Sequence, residues 1–177
     1  MDDKLWYKCY APGVPKRIDY EKMTISEGLT RSAERFPGRT ALNYMGKRIN
    51  YKTLNDMVNQ FARALKQLDI KPGDKVGVSL PNIPQVIISN LAVFRIGAVS
   101  VQNNPLYTER ELAYQLDDSD ARIIITLSLL IPRMQKIKSQ TKLEKIIGCH
   151  IHSFLPFPKK QLFPFVKKEM YKKIVPG

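Results

Sequence analysis

The chain has little cysteine, almost no tryptophan and no long apolar run. Of its 177 residues, two are Cys (Cys9 and Cys149), two are His and one is Trp. Two cysteines cannot build the disulfide lattice of a small secreted scaffold, and they suit a reducing compartment. No stretch approaches the roughly 18 unbroken apolar residues of a membrane span. The start, Met1-Asp2-Asp3-Lys4, is acidic with no apolar segment behind it, so no signal peptide is expected. Glycines are isolated (Gly73, Gly77, Gly97, Gly148), which excludes a Walker loop or a dinucleotide fingerprint. Apolar content of 44% and charged content of 25% exclude wholesale disorder. The expectation is one cytoplasmic domain, long enough to bury about two-thirds of its unfolded surface.

Acidic residues are the other shortage, 16 against 29 Lys and Arg, for a net charge of +13. The excess has a location. Residues 132–177 hold 11 basic and 2 acidic side chains, so most of the imbalance lies in the last quarter of the chain. A basic field over a whole domain would suggest nucleic acid, whereas a basic tail suggests local contact with an anionic surface. With a single Trp and no reader motif, nucleic acid is not expected as a partner.

Periodicity divides the chain into an irregular arm (1–22), an α/β unit (23–152) and a basic amphipathic tail (153–177). Thr24 with Glu27 forms a capping box ahead of Ile25, Leu29, Ala33 and Phe36. Met45-Gly46 reads as a hairpin turn between residues 40–44 and 47–49. Asn50 can cap a helix whose stripe is Leu54, Val58, Phe61, Ala62, Leu65 and Leu68. Strands are expected at 75–80, 98–101 and 122–127. Between them lie a helix at 84–95, apolar nearly all round and so expected to be buried, and a second opened by the Thr108/Glu111 box. This βαβαβ order predicts an α/β layer with a mainly parallel sheet, flanking helices and right-handed crossovers.

Few residues outside the tail suggest chemistry. Cys149, His150 and His152 invite a metal reading, but two or three ligands with no cluster elsewhere do not make a site, and none is expected. Cys9 has no nearby His or basic pair to mark a nucleophile. Asp117, Asp118 and Asp120 lack the spacing and closing Glu of a calcium loop. In the tail, Phe157, Phe163 and Phe165 interleave with Lys159, Lys160, Lys167 and Lys168. Lysines for anionic headgroups and rings for the acyl boundary are what an interfacial membrane segment requires. A helix packed on another part of a longer protein, or a disordered end, would carry the same residues. Pro164 suits the first turn of a helix beginning there.

Several segments resemble the core motifs of adenylate-forming enzymes. Residues 49–55 (INYKTLN) resemble the first motif and residues 94–101 (FRIGAVSV) the second. Asn104, Pro105, Leu106, Tyr107 and Thr108, followed by Glu109-Arg110-Glu111-Leu112 and by residues 115–119 (QLDDS), resemble the long-chain fatty acyl-CoA synthetase branch. Residues 12–15 (PGVP), 35–37 (RFP) and 154–159 (FLPFPK) agree with that branch, so the likeness runs along nearly the whole chain.

The resemblance implies the N-terminal subdomain of the acetyl-CoA synthetase-like fold. It also implies a parent enzyme that uses Mg-ATP and coenzyme A to convert a fatty acid, through an acyl-adenylate, to acyl-CoA. The family's phosphate loop, nucleotide contacts and catalytic lysine would lie downstream of this chain. The chain itself is therefore expected to carry no catalytic residue, to bind no cofactor and to be inactive alone. Its expected partners are the remainder of the synthetase, an anionic membrane face and a second copy through exposed surface. Asn104, Pro105 and Tyr107, after a strand end, are either part of an acyl or pantetheine channel wall or simply a turn before a capped helix. An aryl- or medium-chain ligase, and a free-standing domain binding anionic lipid or nucleic acid, are the alternatives.

Overall fold

The computed structural model describes residues 4–166. Its first helix, α1 (Ile25–Arg35), starts where Thr24 Oγ1 accepts the Glu27 N–H at 3.1 Å and the Glu27 carboxylate accepts the Thr24 N–H at 2.7 Å. The hairpin pairs β1 (Thr40–Tyr44) with β2 (Lys47–Asn50). Its two-residue turn puts Met45 at φ 51° and Gly46 at φ 96°, the left-handed pair that matches the twist of antiparallel strands. Asn50 Oδ1 then accepts the Thr53 N–H at 2.8 Å and opens α2 (Tyr51–Gln67). The predicted stripe points inward, with Leu54, Val58, Ala62 and Leu65 buried and Phe61 and Leu68 half-buried.

The main sheet has four parallel strands in the order β4 (Val99–Gln102), β3 (Lys75–Ser79), β5 (Ile123–Leu127), β6 (Lys145–Cys149). Between the strands run α3 (Pro84–Arg95), α4 (Glu109–Asp118) and α5 (Ile131–Ile137). Strand alternation divides the core. Val76, Val78, Ile123 and Ile125 pack with α2 and α3, while Ile124 packs with Leu112, Leu116, Met134 and Ile137 of α4 and α5. Helices thus cover both faces, the expected α/β arrangement. Gly97, at φ 75°, ends α3 in a left-handed turn where a Cβ would lie 3.2 Å from Pro72.

The fold departs from the sequence reading in four places. Helix α5 and strand β6 extend it beyond the expected βαβαβ unit; β6 is an edge strand with only Ile146 and Ile147 as a local signal. The arm contains one 3-10 turn, Leu5–Cys9, with no buried residue. Helix α6 (Lys159–Val166) begins after Pro158, not at Pro164. Proline-bounded carbonyls start it, Pro156 O accepting from Lys160 N–H and Pro158 O from Leu162 N–H.

Helix α3 is the fourth difference. It is apolar nearly all round yet not covered all round, because Ile87 and Phe94 stay about two-fifths exposed. Exposed apolar stripes of this kind bind other surfaces. The scattering mass of the purified chain is expected to rise with concentration. Ile87→Ser with Phe94→Ser should return it toward the monomer, and a monodisperse wild-type monomer across a dilution series would contradict this.

Candidate functional site

The carboxyl ends of parallel strands are where sheets of this kind place their ligands. Strands β3 and β5 are neighbours there, but their connections leave in opposite directions, to β4 and to β6. Around this point lie the ends of β3 and β5, the residues after β4 and the start of α4.

The 104–107 segment is a tight turn. Asn104 Oδ1 accepts the Leu106 N–H at 3.0 Å, and Tyr107 N–H donates to Asn104 O at 3.0 Å. Pro105 sits second in the turn, where its fixed φ is suited. Both oxygens of Asn104 are thus engaged within the turn. Tyr107 is half-buried against the α4–α5 core, and its carbonyl accepts Arg133 Nη1 at 2.9 Å, so α5 holds the turn from below. Thr108 and Glu111 close the capping box, and the Thr108 backbone N–H and hydroxyl hold the Glu111 carboxyl below its ordinary range. Tyr107, Thr108, Arg110, Glu111, Tyr114 and Gln115 line an open cleft of about 690 Å³ beside the turn. The structure brings Tyr107 to this cleft and leaves Asn104 exposed and Pro105 half-buried next to it.

His150 and His152 do come together, with ring centroids 5.3 Å apart, but through the 3-10 turn Ile151–Phe154 and not along a strand. Burial, then His150 and Lys160, lowers the His152 pKa. Burial pushes the Cys149 thiol up to about 11, which suits an inert side chain. Among the described residues, no three His, Cys, Asp or Glu side chains gather where a metal could be held. Gly77 packs on Leu116 and Gly148 on Ile131, so neither belongs to a phosphate loop.

The tail residues form a separate surface. Phe157 is 81% exposed, Leu162 53% and Phe165 74%, with Lys159 and Lys160 exposed among them. Phe163 is half-buried, stacked on His152 at 5.7 Å. Lys167 and Lys168 lie outside the described residues. No helix among the described residues is long and apolar enough to cross a membrane.

Two features escaped the sequence reading. One is Arg95, the only charged residue of α3, which a search for charge inside an apolar helix could have found. The other is a row of buried polar residues at the ends of β3, β4 and β5, for which the sequence carries no periodic signal.

A four-stranded parallel sheet covered by helices on both faces places the chain among the α/β proteins. Comparison with known proteins narrows the class. Residues 29–176 match the family described as AMP-binding enzyme, and the chain belongs to that family. It is 38% identical over 169 residues, 96% of its length, to a long-chain-fatty-acid–CoA ligase of Bacillus subtilis, and 32% identical over 98% of its length to one of Haemophilus influenzae. It spans only 30% and 31% of those proteins. Among solved structures, a long-chain-fatty-acid–CoA ligase of Archaeoglobus fulgidus aligns over 75% of this chain and 28% of its own, with TM-score 0.69 and 23% identity, a likeness of fold. An anthranilate CoA ligase in complex with anthranoyl-AMP aligns over 76% of this chain and 26% of its own, with TM-score 0.67 and 25% identity.

Proposed function

We propose that the chain is the N-terminal portion of a long-chain fatty acid–CoA ligase that joins fatty acid and coenzyme A, with ATP going to AMP and pyrophosphate. The observation that carries this is the 38% identity maintained over 96% of the chain. It favours a long-chain substrate over the aryl substrate of the anthranilate ligase, which is 25% identical. In this reading the chain supplies scaffold and one wall, and the 104–107 turn faces the channel for acyl chain or pantetheine. ATP, its magnesium and coenzyme A are bound mainly by other parts of the enzyme. The enzyme works in the cytoplasm, and the exposed phenyl and lysine side chains of 157–165 rest on an anionic membrane face where its substrate collects.

Two measurements test the proposal. The purified chain with palmitate, Mg-ATP and coenzyme A should form no acyl-CoA above a blank. A chimaera in which this chain replaces the matching part of the Bacillus subtilis ligase should form palmitoyl-CoA. Turnover by the chain alone, or a folded chimaera that activates no fatty acid, would overturn it; the second outcome would favour a free-standing binding domain.

A further inference from the structure

We propose that Asn103, Ser79 and Thr126 form a buried water-binding site beneath the 104–107 turn, which ties the ends of three strands to the base of that turn. Ser79 and Thr126 are direct partners on β3 and β5, and Asn103 continues the β4 ladder by donating its N–H to Val78 O at 2.9 Å. Two residues earlier in their strands, Gly77 and Ile124 face Leu116 of α4. The period-two alternation of a strand therefore turns Ser79, Thr126 and Asn103 toward the α4–α5 layer as well. The three residues form a row across adjacent strands, at the carboxyl ends where the connections diverge.

Burial makes that row informative. Ser79 and Thr126 are 0% exposed and Asn103 is 4% exposed, yet Ser79 Oγ, Thr126 Oγ1 and Asn103 Oδ1 each lack a hydrogen-bond partner among protein groups. Asn103 Nδ2 gives one of its two N–H donors to Val101 O at 2.8 Å, while Oδ1 is a buried acceptor that still needs a donor. The two hydroxyls can each donate and accept. A native core seldom leaves one such group unmatched, and three in a row call for a molecule that both donates and accepts in a small space. Water is that molecule, and buried waters settle where two to four polar groups converge. A charged ligand does not fit, because no ionised side chain belongs to the row.

The consequence is mechanical. Asn103 immediately precedes Asn104, so water fixing its side chain fixes the start of the turn. Arg133 holds the other end through Tyr107 O. Ser79 and Thr126 are accordingly positioning residues for a turn they do not join. This holds whether or not the turn lines an acyl channel.

A high-resolution crystal structure of the 177-residue chain is expected to show a solvent peak at about 2.7–3.2 Å from Asn103 Oδ1 and from at least one of the two hydroxyls. In solution, Thr126→Val, which keeps the shape, and Ser79→Ala should each lower Tm by about 3 °C. The double variant should lose clearly less than their sum, because both contact the same water. Amide resonances of 103–107 should shift in each variant. Direct protein–protein hydrogen bonds with no solvent peak would overturn the site. So would single variants as stable as the wild type, or additive losses with the 103–107 resonances unmoved.

Discussion

Replacing Arg95 by Met should lower the unfolding free energy by about 3 kcal/mol, the largest loss expected from one surface-reaching side chain of this protein. Arg95 ends α3 and reaches across to two other helices. Nε donates to Ser26 Oγ at 2.8 Å, and Nη2 donates to Ser26 O and Thr30 Oγ1, both at 3.2 Å, at the start of α1. Nη1 donates to Asn59 Oδ1 at 2.7 Å and to Asn55 O at 3.5 Å on α2. Five donors thus meet neutral acceptors, and none of these partners is a carboxylate. Burial pushes the Arg95 pKa down, but an arginine remains charged throughout the physiological range.

Met can replace the stem but none of these bonds. Hydrogen bonds to a charged donor are worth about 1.5–3 kcal/mol each, and partial access of water to the vacated acceptors reduces the sum. A loss of about 3 kcal/mol corresponds to about 9 °C in Tm for a chain of this size. Arg95→Lys should recover less than half, because an ammonium cannot present a planar fork to two helices. With no titrating acid among the partners, the loss should be equal at pH 5.5 and pH 8. Urea unfolding of the two variants at both pH values checks this. A change within about 0.5 kcal/mol for Arg95→Met would show that α1 is held by packing alone.

Arg95 also shows what a sequence makes visible. Local rules were legible where neighbours in sequence are also neighbours in space. The two capping boxes, the Asn50 cap, the Met45-Gly46 turn and the Gly97 stop each depend on atoms within a few residues, and each forms. The pattern of α2 was legible because one face meets one core. Strand β6 was not, because an edge strand needs little hydrophobicity and takes its register from β5. Helix α3 was only half legible, since its composition says that apolar residues ring it but not which of them the described residues cover.

The candidate site was less legible, for the same physical reason. The 104–107 turn stood out through its residue types, but its support by Arg133 spans 26 positions in sequence. Ser79, Asn103 and Thr126 are ordinary polar residues until pairing brings them into one row. In the tail the residue types were plain, but their orientation was not. Of the four phenyl side chains, Phe154 packs against the core and Phe163 is committed to His152, so Phe157 and Phe165 are the two offered to a partner.

The chain is expected to bind vesicles containing acidic lipid, to lose binding as salt rises, and to ignore purely zwitterionic vesicles. Residues 154–173 carry six lysines and one glutamate. Each lysine near an acidic leaflet contributes about 1 kcal/mol, screened over a Debye length of about 10 Å at 0.1 M salt. Changing Lys159, Lys160, Lys167 and Lys168 together to Glu should therefore abolish co-sedimentation. The exposed Phe157, Leu162 and Phe165 add an apolar contribution of about 25 cal/mol per Å² buried, which salt does not screen. Phe157→Ser with Phe165→Ser should weaken binding about 100-fold, about 3 kcal/mol at roughly 1.5 kcal/mol per ring, while leaving the salt slope unchanged. Phe163→Ser should act differently, loosening the stack on His152 and costing stability more than lipid affinity. Equal binding to neutral and acidic vesicles, or none to either, would leave residues 157–165 as a packing surface for protein and would rule out a membrane role for them.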